Sequence, residues 1–107
     1  MRSLASGLSD LPPLGSQRFL VDPFVHVKYW IPEANWVWYI IEGERTRQGF
    51  RLFGYVIGLN EEWEEFSLRD LEVVRGPGGQ HVRRDSEFVP GFWSKVTALT
   101  SSKKSRF

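Results

Sequence analysis

The sequence predicts a small α+β domain: a mainly antiparallel meander sheet of three to five strands, with one or two short helices packed on it. Three observations predict this class. Three runs rich in β-branched and aromatic residues, 24–31, 36–42 and 50–58, follow one another with connections too short for a crossover helix. One segment, "FSLRDLEVV" at 66–74, carries a helix-start signature. The chain has 107 residues, the size of a single domain.

Residues 1–18 contain Ser, Gly and Pro without periodicity and read as an arm, mobile or lying on the surface, ahead of a globular domain over 19–99. "FVHVKYWI", 24–31, is the first strand, and Pro32 ends it in "PEAN", where Asn35 suits a turn. "WVWYIIE", 36–42, is the second strand. "GERTRQG", 43–49, is a polar loop, and "FRLFGYVIG", 50–58, is the third strand. Ser67 is placed to cap a helix with Asp70 three residues on, and Phe66 and Leu71 hold the two positions of a hydrophobic staple. "EVVRGPGG" stops that helix. "QHVRRDSEFVP" adds a strand near 81–88, "GFWSKVTAL" at 91–99 is a final short helix, and 100–107, "TSSKKSRF", is a basic flexible tail.

Strand alternation assigns the faces. A turn that pairs Ile31 with Trp36 sets Tyr29 against Trp38 and Val27 against Ile40. That face collects Val25, Val27, Tyr29, Ile31, Trp36, Trp38 and Ile40, has almost no polar atom, and is the expected core. Pairing Glu42 with Phe50 then sets Leu52 against Ile40 and Gly54 against Trp38, where a glycine beneath an indole fills a gap. The opposite face carries Phe24, His26, Lys28, Trp30, Val37, Tyr39, Ile41, Arg51, Phe53 and Tyr55. Two readings of it stand. It is a platform on which single-stranded bases stack, or it lies under the 67–74 helix and the 91–99 segment, with Phe92 and Trp93 filling the gap.

Hydrophobic residues make up 41% of the chain and charged residues 25%, an ordinary globular balance, whereas the aromatic share of 15% is high. Aromatics build interfaces as well as cores. The absence of cysteine removes disulfides, thiolate zinc sites and cysteine nucleophiles. No apolar run approaches the roughly 20 residues that cross a bilayer, and the N-terminus lacks the continuous apolar stretch of a signal peptide. A cytoplasmic protein with no membrane partner is expected. The net charge of +1 gives no global attraction to polyanions.

Charge is sorted locally. "EEWEE", Glu61, Glu62, Trp63, Glu64 and Glu65, reads either as an acidic patch that occupies a partner's basic groove or as a solvated loop anchored by Trp63. "RGPGGQHVRR" offers glycine amides and arginine forks to a phosphate, or is a tight turn with Arg75 and Arg84 paired to Asp70, Asp85 or Glu87. It matches no Walker or dinucleotide fingerprint. His26 and His81 stand 55 residues apart with no HExxH-like spacing, and no G-x-S-x-G elbow, nucleophile–base set or deaminase signature is present. Catalytic, metal and cofactor residues are therefore expected to be none.

Asn35-Trp36, Trp38-Tyr39, Phe53-Gly54-Tyr55-Val56, Gly58-Leu59, Glu62-Trp63, Phe66-Ser67-Leu68, Leu71-Glu72, Val74-Arg75-Gly76 and Arg84-Asp85 form an ordered series over residues 11–90. In this series the chain closely resembles the uncharacterised bacterial family of domain-of-unknown-function 2958. Glu64-Glu65 departs from the Gly-aromatic pair common in that family. The resemblance implies an accessory protein of a plasmid, integrative element or phage, often encoded near antirestriction genes. It implies no catalytic residue.

The expectation is a non-enzymatic binding protein. It inhibits a host defence system, a CRISPR or restriction nuclease complex, through the acidic residues 61–65. The alternative is a single-strand nucleic-acid-binding protein using Lys28, Trp30, Tyr39, Arg51, Phe53, Tyr55, Arg83 and Arg84, for which binding must weaken steeply with salt.

Overall fold

The computed structural model describes residues 4–104. Its elements are β1 (Phe24–Val25), β2 (Val27–Ile31), β3 (Trp36–Thr46), β4 (Gly49–Ile57), β5 (Glu61–Ser67), α1 (Leu68–Val73), β6 (Arg83–Arg84), β7 (Gly91–Phe92) and α2 (Trp93–Lys104). Five strands form an antiparallel sheet in the order β5-β4-β3-β2-β6, and β1 and β7 form a separate antiparallel ribbon. The expected α+β meander is present. Among the described residues no helix is long and apolar enough to cross a membrane.

The register of β2 on β3 is the expected one: Ile31 opposes Trp36, Tyr29 opposes Trp38 and Val27 opposes Ile40. Asn35 closes the turn with φ 58, a left-handed conformation that Asn tolerates. The run expected as one strand over 24–31 is broken at His26. Val25 therefore falls in the core on the far side of the sheet from Val27, not beside it.

The β3–β4 register differs from the expected one. Glu42 opposes Phe53 rather than Phe50, and Gly54 opposes Ile40 rather than Trp38. The turn is tighter than expected, which moves the pairs beside it by three residues, and a bulge between Ile40 and Glu42 puts one extra residue into β3, so that the pairs beyond it differ by two. Gly54 belongs to this bulge. A Cβ there would collide with the Tyr39 carbonyl, which is backbone and cannot move aside. Residues 43–46, expected in a loop, extend β3, and the turn shrinks to Arg47 and Gln48 before Gly49 at φ 100.

Two cores result, one on each side of the sheet. The first holds Val27, Tyr29, Ile31, Trp38, Ile40 and Leu52, closed by Phe66, by Leu71 of α1, and by Leu8 and Leu11 of the N-terminal segment. The second holds Val25, Val37, Tyr39, Ile41 and Ile57, closed by Val96 of α2 and edged by Phe53, Tyr55, Phe88 and Trp93. The helices thus lie on opposite faces, where both were expected on one. Trp93 does cover the second face, but Phe92 is 54% exposed and packs its ring edge on Phe24 at 5.3 Å.

The start of α1 is as expected. Ser67 Oγ accepts from the Asp70 amide, and the Asp70 carboxylate accepts from the Ser67 amide. The N-terminal segment inserts Leu8 and Leu11 into the first core, each worth about 1.5–3 kcal/mol of apolar burial. The Tyr29 hydroxyl, inside that core, donates to the Leu4 carbonyl. Of the expected tail, α2 continues to Lys104, and residues 105–107 lie outside the described residues.

Candidate binding surface

The acidic run is a strand, not a loop. β5 pairs along its length with β4, Trp63 opposite Tyr55 and Glu64 opposite Gly54, and it forms one edge of the sheet. Strand alternation divides its carboxylates between the two faces. Glu61, Trp63 and Glu65 lie on the α2 side. Glu62 and Glu64 share the side of Phe66, which is buried in the first core.

The α2 side is an aromatic cluster. Trp63 stacks on Phe53 with ring centroids 5.9 Å apart and planes 5° apart. It also meets Tyr55 at 5.1 Å and Trp93 at 5.6 Å, while Tyr55 meets Trp93 edge-on at 5.3 Å. The carboxylates here are engaged. The Tyr55 hydroxyl donates to Glu61 at 3.1 Å, and burial together with this carboxylate pushes the phenol above its ordinary pKa. Glu65 accepts from Arg18 at 3.3 Å and Arg51 at 3.4 Å. Trp63 nonetheless keeps 38% of its surface in solvent.

On the other side, neither Glu62 nor Glu64 forms an ion pair among the described residues. Partial burial pushes the Glu64 carboxyl above the ordinary carboxylate range, and the neighbouring Glu62 raises it further. Two like charges therefore sit side by side without a counter-ion.

The residues expected to bind nucleic acid do gather on the second face, except for Arg84, which lies opposite Tyr29, but that face is largely occupied by the chain itself. Tyr39 is 3% exposed and lies against Phe88 at 6.1 Å. Lys28 is paired with Asp85 at 3.1 Å and rests over Trp30 at 4.0 Å. The Arg18 guanidinium covers Phe53 at 3.9 Å. Arg83 pairs with Glu33 at 2.7 Å, and Arg84 donates to the Ser6 carbonyl. Each of these cations thus has a partner within the chain.

The glycine loop spends its amides on itself. The Gly76 amide donates to the Gln80 carbonyl, that of Gly79 to the Gly76 carbonyl, and that of Gly78 to the Gln80 side chain at 3.0 Å. Arg75 donates to the carbonyls of Glu72 and Val74 rather than to a carboxylate, and Asp85 takes Lys28. His26 packs against Phe24 at 5.0 Å, and burial lowers its pKa. Among the described residues no three His, Cys, Asp or Glu side chains converge as a metal site. A cleft of about 480 Å³ between the N-terminal segment and the β3–β4 hairpin has only Glu44 and Arg45 as charged lining.

Sequence reasoning missed Glu42. It has no exposed surface, and it accepts hydrogen bonds from the amides of Gly15, Gln17 and Arg18 and from the Arg18 guanidinium at 2.7 Å. The available signal was a single carboxylate inside an otherwise apolar run. Also missed was the loop Phe19-Leu20-Val21, which stands in solvent between this anchor and β1.

A family model described as "Protein of unknown function (DUF2958)" matches residues 6–101, a wider span than the motif series over 11–90. No curated protein and no solved structure matches the chain.

Proposed function

The chain belongs to the family of unknown function DUF2958, and from that premise we propose that it is a non-enzymatic binding protein that docks on another protein through β5. One observation carries the reading: along a single edge strand, Trp63 stands partly in solvent on one face, and Glu62 and Glu64 form no internal ion pair on the other. A part-exposed tryptophan is a typical interface anchor, and unpaired carboxylates at its rim steer a cationic partner toward it. In the mobile-element setting that the family resemblance implies, the partner is a host defence nuclease complex in the cytoplasm, and the acidic edge occupies its basic groove.

The test is affinity for such a complex, measured with the double reversal Glu62→Lys and Glu64→Lys. These two side chains form no internal ion pair, so the variant keeps the contacts of Glu61 and Glu65. A loss of about tenfold or more is expected, concentrated in the association rate and steepest at low salt. Unchanged affinity removes the acidic edge from the reading. Single-stranded oligonucleotides should show no salt-sensitive anisotropy change, because the stacking face lies beneath α2 and Phe88.

A further inference from the structure

We propose that β5 receives an extended cationic segment of its protein partner as a sixth strand of the sheet, with cations opposite Glu62 and Glu64 and an apolar side chain beside Trp63. This inference rests on the docking reading above and specifies how docking occurs.

The backbone makes the first part of the case. β5 is seven residues long and ends the sheet; β4 occupies one side, and among the described residues no strand pairs with the other. Alternate amides and carbonyls of such a strand point away from its partner and are unsatisfied by the sheet. The opposite edge, β6, is only two residues long and offers no comparable ladder.

Side-chain chemistry then selects the occupant. Like charges directly opposite each other across a strand pair are destabilising, and opposite charges stabilise. A second copy of this edge would place carboxylates against carboxylates, so the sequence that repels self-pairing admits a cationic strand. The faces also differ. On one, Glu62 and Glu64 lack a cation; on the other, Glu61 and Glu65 are already engaged and Trp63 offers an apolar ring. A complementary strand therefore alternates, with cations on one face and apolar residues on the other. That pattern excludes nucleic acid, which brings phosphates rather than cations, and it distinguishes strand addition from loose attraction to a polybasic coil.

The experiment uses the full chain, isotope-labelled for NMR, and two capped peptides of sequence Thr-Val-Lys-Val-Lys-Val-Thr. One has an ordinary backbone; the other is N-methylated at its five central residues, keeping the charge but losing the donors. The ordinary peptide is expected to protect alternate amides of β5 from exchange and to bind at least about tenfold tighter than the methylated one. Glu62→Lys with Glu64→Lys is expected to abolish both effects. Equal binding of the two peptides overturns strand addition while leaving the acidic edge as a docking surface. Binding by neither at low salt overturns the assigned occupant. The docking reading itself falls only if the double reversal leaves the protein complex unchanged.

Discussion

A carboxylate removed from water needs donors for both oxygens, and Glu42 has them. Oε1 accepts from the Gly15 amide and from Nε and Nη2 of Arg18, and Oε2 accepts from the amides of Gln17 and Arg18. Burial alone would raise its pKa; the guanidinium and the amides outweigh burial and hold the carboxyl below its ordinary value. Because the folded value is depressed, the resulting stability is fully present above the unfolded pKa of about 4.3 and is lost as pH falls through the folded value. Urea midpoints should therefore be flat near neutrality and fall in acid. Glu42→Gln should lower stability at neutral pH by about 3 kcal/mol and flatten part of the acid limb. An unchanged acid limb in this variant would show that the carboxylate does not anchor the fold. Gly54→Ala should cost at least about 2 kcal/mol, since the Tyr39 carbonyl leaves no room for a methyl group. Neither role is legible locally. Glu42 is explained by Arg18, 24 residues away in a segment without periodicity, and Gly54 by a bulge in the neighbouring strand.

The two helices begin in physically different ways. α1 is capped by residues of its own segment, Ser67 and Asp70, so its start is readable as a spacing. Ser67→Ala should cost about 1 kcal/mol, read by denaturant unfolding. α2 is capped from the other end of the chain: Asp22 accepts from the Ser94 amide at 2.8 Å and the Ser94 hydroxyl at 2.7 Å, and the Trp93 amide donates to the Pro23 carbonyl. No spacing rule reaches across 72 residues. Asp22→Ala should lower stability by about 1 kcal/mol and shift tryptophan emission to the red as Trp93 loosens from Tyr55 and Trp63. Emission identical to the parent would leave the start of α2 held by the β1–β7 ribbon alone. β5 illustrates the opposite limit of local reading. Four glutamates in seven residues oppose strand propensity, yet pairing with β4 and the stacking of Trp63 on Phe53 override it.

At the scale of the molecule, one sheet with two apolar faces needs two covers. The N-terminal segment and α1 supply one, α2 and Phe88 the other. Leu8 and Leu11 of the segment before residue 19 are therefore part of the first core. Deleting residues 1–18 removes Leu8 and Leu11 from that core and strips Glu42 of every donor named above. The shortened chain should lose its cooperative thermal transition by circular dichroism, since an uncompensated buried charge adds to the lost burial. A transition displaced by only a few degrees would assign the segment to the surface instead.

Sequence alone determined the meander, the β2–β3 register, the capped start of α1 and the membership of a core face by Val27, Tyr29, Ile31, Trp38 and Ile40. Each follows from periodicity or from interactions within a few residues, where chain geometry leaves few alternatives. Tertiary structure decided the bulge at Ile41, the conversion of the acidic run into an edge strand, the placement of the helices on opposite faces, and the buried pairing of Glu42 with Arg18. These depend on partners distant in sequence. Their energies arise only when the chain has closed, so no local pattern records them.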